Sequence, residues 1–144
     1  MAVIVVLGSL LGLGWNSVGG GGLALDRNVY LRDDDETVTP AEAKARFDRG
    51  ALFLDAREVE AYRVGHVAGA ISLPSIDFQR AFPTLEPQLR SRFDLVVYCD
   101  GAGCEASHLV ARWLREKGIQ AAVFVDGWPA WSAAGHPSRE GNAP

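Results

Sequence analysis

Cysteine is scarce in this chain: the 144 residues include only two, Cys99 and Cys104. Two cysteines are too few to build a disulfide-based scaffold. They do not form a Cys-x-x-Cys pair, and the three histidines lie far apart along the sequence, at His66, His108 and His136. This spacing does not fit a zinc site. We therefore expect no metal and no cofactor.

Clustered positive charge is also missing. The chain carries 14 Lys and Arg against 18 Asp and Glu, which gives a net charge of −4 and a pI near 5.3. Proteins that bind nucleic acids in general need a basic face that attracts phosphates. We therefore expect no nucleic-acid partner.

The amino-terminal part has no charged side chain before Asp26. Its apolar stretch reaches Val18 and is close to the shortest length that spans a bilayer, roughly 17 residues. Its glycines disfavour a helix in water but are tolerated in membrane helices. A membrane anchor, a signal-peptide core and the remnant of a longer membrane segment all fit this composition. A signal peptide would carry basic residues before the apolar run and a small-residue cleavage site, and neither is present.

We interpret residues 1–22 as an apolar membrane segment that ends in the flexible linker Gly19–Gly22. Residues 23–38 then form an acidic connector. Arg27 and Arg32 follow the apolar stretch, and the positive-inside rule places the globular part on the cytoplasmic side. The predicted location is therefore membrane-associated, with the membrane as a partner.

From Thr39 onward the sequence alternates between short apolar runs and helical patterns. Thr39-Pro40-Ala41-Glu42 is a capping box, and Gly50 ends the helix that it starts. Strands are predicted at Ala51–Leu54, Ala70–Leu73, Leu95–Tyr98 and Ala122–Val125. Further helices are predicted at Arg57–Arg63, at Ala106–Lys117 and from Pro129. The segment Ser75–Arg92 is predicted to form one or two short helices, because Pro83 and Pro87 break it. The helix at Ala106–Lys117 is expected to bury Leu109, Val110, Trp113 and Leu114. This alternation predicts a parallel α/β sheet.

Cys99 ends the apolar run Leu95–Tyr98 and is followed by a glycine-containing loop and a helix. This order places a thiol at the carboxyl edge of the sheet, where ligands bind in open α/β folds. The amino end of a helix favours negative charge, so a thiolate there is stabilised and can act as a nucleophile. The alternative is a buried, inert cysteine that closes a strand.

Several segments, taken in order, resemble the signatures of the rhodanese-like family. They are Leu54-Asp55-Ala56-Arg57, Tyr62, Gly65-His66-Val67-Ala68-Gly69-Ala70, Leu73-Pro74, Val96-Val97-Tyr98-Cys99, Asp126-Gly127-Trp128-Pro129-Ala130-Trp131 and Ala134-Gly135-His136-Pro137. The resemblance covers residues 39–137 and leaves 138–144, which we interpret as a frayed carboxyl terminus. It implies a small α/β domain with a mainly parallel five-stranded sheet flanked by helices.

The resemblance also implies a sulfurtransferase in which Cys99 accepts a sulfane sulfur as a persulfide. A thiol or another nucleophile then removes that sulfur. Asp55, Arg57 and His66 would support the structure, and His108 is interpreted as a solvated side chain. The loop that cradles the persulfide would comprise Asp100, Gly101, Ala102, Gly103, Cys104, Glu105, Ala106 and Ser107.

The loop departs from the family pattern Cys-x-x-Gly-x-Arg-Ser. The path from Cys99 to Ser107 is two residues longer, and Cys104 and Glu105 stand where a basic residue is usual. A phosphatase or arsenate reductase of the Cys-x5-Arg kind needs that arginine to hold its oxyanion, so this activity is disfavoured. Asp100 and Glu105 would repel thiosulfate, so a polysulfide or a persulfide is the more suitable donor.

Cys104 suggests a redox role as a candidate resolving thiol. It could attack a persulfide on Cys99, release sulfide and leave a Cys99–Cys104 disulfide, or it could form a trisulfide bridge or protect Cys99 from over-oxidation. The alternative is that Cys104 packs beneath the loop. Similar Cys-x4-Cys loops occur in rhodanese-like domains fused to transcriptional regulators. A second hypothesis is therefore a non-enzymatic module that senses reactive sulfur or docks a partner at the membrane.

Deleting residues 1–22 should move the protein from the membrane fraction to the soluble fraction of lysed cells, because these residues contain the apolar segment. Sedimentation of membranes followed by immunoblotting of both fractions checks this, with the full chain as the control. A truncated chain that still sediments with membranes would show that the segment is not the anchor.

Overall fold

The computed structural model describes residues 35–144 of the chain. In this part, the chain forms seven short strands and five α-helices, with a 3-10 helix at Ser75–Asp77. The strands are β1 (Thr37–Val38), β2 (Leu52–Asp55), β3 (His66–Val67), β4 (Ile71–Ser72), β5 (Leu95–Tyr98), β6 (Ala122–Phe124) and β7 (Ser138–Arg139). The helices are α1 (Pro40–Asp48), α2 (Val59–Val64), α3 (Phe78–Arg90), α4 (Glu105–Glu116) and α5 (Gly127–Ala133).

Five strands form one parallel sheet in the order β1-β6-β5-β2-β4. This agrees with the expected α/β fold. The edge strand β1 comes from the end of the segment interpreted as an acidic connector, and the Val123 amide donates to the Glu36 carbonyl at 2.7 Å. The connector interpretation is therefore wrong for its last residues. A strand of two residues is too short to show periodicity in the sequence.

Both faces of the sheet are buried, because alternate strand residues point into two separate cores. Leu54 and Val97 contribute to the core under α3 and α4. Phe53 and Tyr98 contribute to the opposite core, where Trp131 of α5 lies 5.3 Å from the Phe53 ring. β5 is the central strand, and all four of its residues are buried. The end of this strand is therefore held from both sides.

The helices differ from the sequence predictions in two respects. α3 is one helix of 13 residues that contains Pro83 and Pro87, where the sequence predicted a break. Both prolines lie on the exposed face, where water can satisfy the carbonyl groups that lose their partner. In α4 the buried side chains include Val110, Ala111 and Leu114, whereas Leu109 and Trp113 are half-buried rather than buried.

The carboxyl-terminal residues are not frayed, which corrects the interpretation of 138–144. β7 pairs antiparallel with β3, which places Arg139 opposite His66. Beyond it, the Gly141 amide donates to the Arg63 carbonyl at 2.8 Å, and Arg63 Nε donates to Asn142 Oδ1 at 2.6 Å. The segment is ordered by pairing with a short strand that no sequence pattern marks.

The apolar segment at residues 1–22 and most of the connector lie outside the described residues. Within 35–144, no helix has the length and apolar character needed to cross a membrane.

Candidate active site

The loop after Cys99 turns back on itself. Cys99 is 1% exposed at the end of β5, and Cys104 is the residue that precedes the first turn of α4. Between them, Gly101 and Gly103 have φ angles of 105° and 92°, which glycine adopts without strain. The Cys104 amide donates to the Gly101 carbonyl at 3.0 Å and closes the turn. The loop therefore brings Cys104 back beside Cys99.

Cys99 and Cys104 are joined by a disulfide bond, with their Cα atoms 6.4 Å apart. Cys104 is half-buried and packs against the core under α4. The hydroxyl of Ser107, in the first turns of α4, donates to Cys99 Sγ at 3.6 Å. The structure thus brings together Cys99, Cys104 and Ser107, which the sequence analysis placed in one loop. The role of Cys104 as a resolving thiol stays a prediction.

The other loop residues predicted to cradle a persulfide differ in exposure. Gly101 and Ser107 are buried, and Ala106 is half-buried. Asp100 and Glu105 are exposed, with 66% of the Asp100 side chain accessible. Two acidic side chains therefore border the site on its solvent side. Ala102 and Gly103 form the exposed tip of the loop.

The turn between β6 and α5 holds the beginning of the loop. The Trp128 amide donates to the Cys99 carbonyl at 2.8 Å. Gly127 has a φ of 57°, and a Cβ atom there would overlap the Cys99 carbonyl oxygen and lie 2.8 Å from the Gly101 nitrogen. Sequence reasoning missed this support. The Asp126-Gly127-Trp128 motif is evident in the sequence, but its contact with Cys99 is a property of the fold.

A buried ion pair lies beside Cys99. Asp55 is fully buried and accepts hydrogen bonds from Arg57 Nε at 2.9 Å, from Arg57 Nη2 at 2.6 Å and from the Arg57 amide at 3.0 Å. The hydroxyl of Tyr98, the residue before Cys99, donates to the same carboxylate at 2.7 Å. Sequence reasoning identified Asp55 and Arg57 as structural support but missed Tyr98, because the contact joins residues far apart in the chain.

Arg57 links this pair to the loop. Its guanidinium carbon lies 5.6 Å from the centroid of the Tyr98 ring and 5.1 Å from that of the Trp128 ring, and its Nη1 is 3.5 Å from Asp100 Oδ1. Burial acts to lower the pKa of Arg57, but the hydrogen bonds and negative charge of Asp55 outweigh it and raise that pKa. The guanidinium therefore stays charged, and its charge is shared between two carboxylates.

His66 is fully buried and faces two carbonyl groups. Its Nδ1 lies 2.8 Å from the Tyr62 carbonyl oxygen and its Nε2 lies 3.0 Å from that of Ala143. The ring also stacks on Tyr62 at 3.7 Å between centroids. A neutral imidazole donates through one nitrogen only, so both contacts are hydrogen bonds only when the ring is protonated. Through these contacts, His66 connects Tyr62 of α2 to the carboxyl-terminal segment, which is a structural role.

His108 is not the solvated side chain expected from the sequence. Its Nδ1 lies 2.9 Å from Asp35 Oδ2, and Arg115 Nη1 lies 3.0 Å from Asp35 Oδ1. The Asp35 carboxylate is 5% exposed, which explains why it is paired on both oxygens. The cluster ties the end of the connector to α4, directly after the loop.

Comparison with known proteins establishes the family. A family model for the rhodanese-like domain matches residues 39–134, and the chain therefore belongs to the rhodanese-like family. The chain is similar to the HTH-type transcriptional regulator Rv0324 of Mycobacterium tuberculosis, with 32% identity over 112 residues covering 77% of this chain and 48% of that protein. It is also similar to the tRNA uridine(34) hydroxylase of Sodalis glossinidius, with 35% identity over 107 residues covering 65% of this chain and 30% of that protein.

Among solved structures, the thiosulfate sulfurtransferase of Pseudomonas aeruginosa has the same fold. The TM-score is 0.65 at 24% identity, and the match covers 81% of this chain and 22% of that one. The chain spans about half the length of the regulator and less than a third of the hydroxylase. The relatives therefore share one domain with this chain.

Gly127→Ala should destabilise the protein by more than Gly118→Ala. Both glycines have positive φ, so alanine costs each about 1–2 kcal/mol of backbone strain. Only at position 127 does the new Cβ meet the backbone of Cys99, whereas nothing lies within 4 Å at Gly118. Denaturant unfolding of both variants measures the difference. Equal losses would show that the Gly127 contact does not hold the loop.

The stability of the protein should fall above pH ~10, and Tyr98→Phe should remove part of that dependence. Burial, with the negative charge of Asp55, raises the pKa of Tyr98 far above its usual value. The folded state therefore keeps the phenol proton while the unfolded chain loses it, so the unfolded state binds fewer protons. Each pH unit above the unfolded pKa then lowers the free energy of unfolding by about 1.4 kcal/mol. Parallel pH profiles for the two proteins in denaturant unfolding would contradict this.

Proposed function

We propose that this protein is a sulfurtransferase that carries a sulfane sulfur on Cys99. The observation that carries the proposal is the position of Cys99 Sγ at the carboxyl end of the central strand, facing the Ser107 hydroxyl at the start of α4. Membership of the rhodanese-like family and the fold shared with a thiosulfate sulfurtransferase support it.

The reaction has two transfer steps. The Cys99 thiolate attacks the outer sulfur of a persulfide donor R–S–SH, so the donor S–S bond breaks, RS⁻ leaves and Cys99–S–SH forms. A thiolate acceptor then attacks the outer sulfur of Cys99–S–SH, which yields the acceptor persulfide and restores the Cys99 thiolate. The dipole of α4 and the Ser107 hydroxyl stabilise negative charge at Cys99 Sγ in both steps.

Charge around the loop favours donors with little negative charge. Asp100 and Glu105 border the site on its solvent side, and the Arg57 guanidinium is already engaged by Asp55 and Asp100. Thiosulfate carries two negative charges and is repelled at this border. A polysulfide or a low-molecular-weight persulfide is therefore the proposed donor, and a thiol is the proposed acceptor.

Reduced wild-type protein should transfer sulfur from glutathione persulfide or polysulfide to cyanide, and Cys99→Ser should fall to the uncatalysed rate. Thiocyanate formation measures the transfer, and mass spectrometry of Cys104→Ser treated with the donor alone detects one added sulfur on Cys99. Ala45→Ser is the matched control, because it adds a hydroxyl at an exposed position of α1 outside the loop. A wild-type rate equal to that of Cys99→Ser for every donor would overturn the proposal.

Thiosulfate should be the poorest of these donors, and Glu105→Gln should improve its use severalfold at low ionic strength. The improvement should shrink as salt is added, because salt screens exposed charges. The same substitution should leave the use of cysteamine persulfide nearly unchanged, because its ammonium group balances the charge of its persulfide anion. Thiosulfate turnover that does not respond to Glu105→Gln would show that the acidic border does not select the donor.

The disulfide favours a second candidate function, a module that senses reactive sulfur or oxidants without turnover. The bond between Cys99 and Cys104 would then be the signal itself. Relatives such as the regulator Rv0324 combine a similar region with further sequence, and a partner could read the change. Oxidation without measurable sulfur transfer to any acceptor would favour this function. We propose a membrane-associated location for either function, because residues 1–22 are apolar. Arg27 and Arg32 favour the cytoplasmic side for the globular part.

A further inference from the structure

The two sulfur atoms of the loop lie in unequal positions. Cys99 is 1% exposed and closes the central strand, whereas Cys104 is half-buried and stands at the exposed turn before α4. An external thiol can therefore reach Cys104 more easily than Cys99. This difference in exposure predicts that an external thiol attacks Cys104 and that Cys99 is the sulfur that leaves.

We infer that the loop is a dithiol centre that reduces sulfane sulfur to sulfide, and that its external thiol reductant enters at Cys104. The inference rests on the proposed function, because it begins with a persulfide on Cys99. It adds a different product, sulfide, and assigns a separate task to each cysteine.

In the first step Cys104 resolves the persulfide. The Cys104 thiolate attacks the inner sulfur of Cys99–S–SH, the bond from that sulfur to the terminal sulfur breaks, and HS⁻ leaves. The products are the Cys99–Cys104 disulfide and sulfide, so the sulfane sulfur is reduced by two electrons from the two cysteines. The Gly101–Cys104 turn already places Cys104 within bonding reach of Cys99.

In the second step an external thiolate RS⁻ attacks Cys104 Sγ. Thiol–disulfide exchange requires access to the attacked sulfur and a stabilised leaving thiolate. Cys104 offers the access, and Cys99 is the better leaving group because the Ser107 hydroxyl donates to its sulfur. A mixed disulfide Cys104–S–S–R forms and Cys99 leaves as a thiolate. A second RS⁻ then attacks the R sulfur of that mixed disulfide, releases RSSR and returns Cys104 to the thiolate.

A single-turnover experiment tests the first step. Reduced full-length protein receives one equivalent of glutathione persulfide with no other thiol or cyanide present. Wild-type protein should release nearly one equivalent of sulfide and end with the Cys99–Cys104 disulfide. Cys104→Ser should instead retain one added sulfur on Cys99 and release little sulfide. Ala45→Ser, which adds a hydroxyl on the exposed side of α1 and outside the loop, should behave as wild type.

The outcomes separate this inference from the proposed function. A stable added sulfur on wild-type Cys99, with no sulfide released, would overturn the dithiol cycle while the sulfurtransferase stands. Sulfide release by Cys104→Ser as fast as by wild type would also overturn it. No added sulfur and no sulfide from either protein would overturn the proposed function itself.

Mapping of the mixed disulfide tests the direction of the second step. Oxidised wild-type protein is mixed with cysteamine, quenched in acid, alkylated at low pH and cleaved on the amino side of aspartate. This cleavage places Cys99 on peptide 94–99 and Cys104 on peptide 100–125. Cysteamine should be found on peptide 100–125 and the alkyl group on peptide 94–99. The reverse distribution, or an equal one, would overturn entry at Cys104.

Discussion

The fully buried carboxylate of Asp55 organises the edge of the sheet on which the site stands. An unpaired charge at this depth would be strongly destabilising, so its hydrogen-bond partners must be in place when the protein folds. Tyr98 and Arg57 donate these hydrogen bonds, and each also connects Asp55 to another part of the sheet edge. Tyr98 leads directly to Cys99, and Arg57 binds the Gly65 carbonyl and reaches Asp100. The hydrogen-bonded carboxylate of Asp55 thus helps to position Cys99, Gly65 and Asp100 around the loop.

This arrangement also limits the chemistry of the loop. The positive charge of Arg57 lies against Asp55 and Asp100, so it is already compensated before a substrate arrives. Negative charge on Cys99 must then be stabilised by weaker, neutral dipoles, namely the Ser107 hydroxyl and the amino end of α4. Such a site suits a singly charged thiolate or persulfide better than an oxyanion, which needs a bidentate cation.

The sequence predicted those features that local patterns determine. β5 was located to the residue because four consecutive apolar side chains are buried on both faces of the sheet, and the Thr39 capping box begins α1 as expected. β1 and β7 were missed because two residues carry no periodicity. The position of Cys99 followed from the order of strand, loop and helix. The contacts of Gly127 with Cys99 and of Tyr98 with Asp55 could not be predicted, since they join distant segments.

The position of Cys104 before α4 has a structural cost that supports a chemical role. Ser, Thr, Asp or Asn at this position would accept a hydrogen bond from the first turn and stabilise a helix by about 1 kcal/mol. Cys104 makes no such bond. A serine would satisfy the helix but could form neither the disulfide nor a thiolate. The residue that weakens the start of α4 is thus the residue that reaches Cys99. Departures from local stability of this kind are expected where a site requires a particular atom.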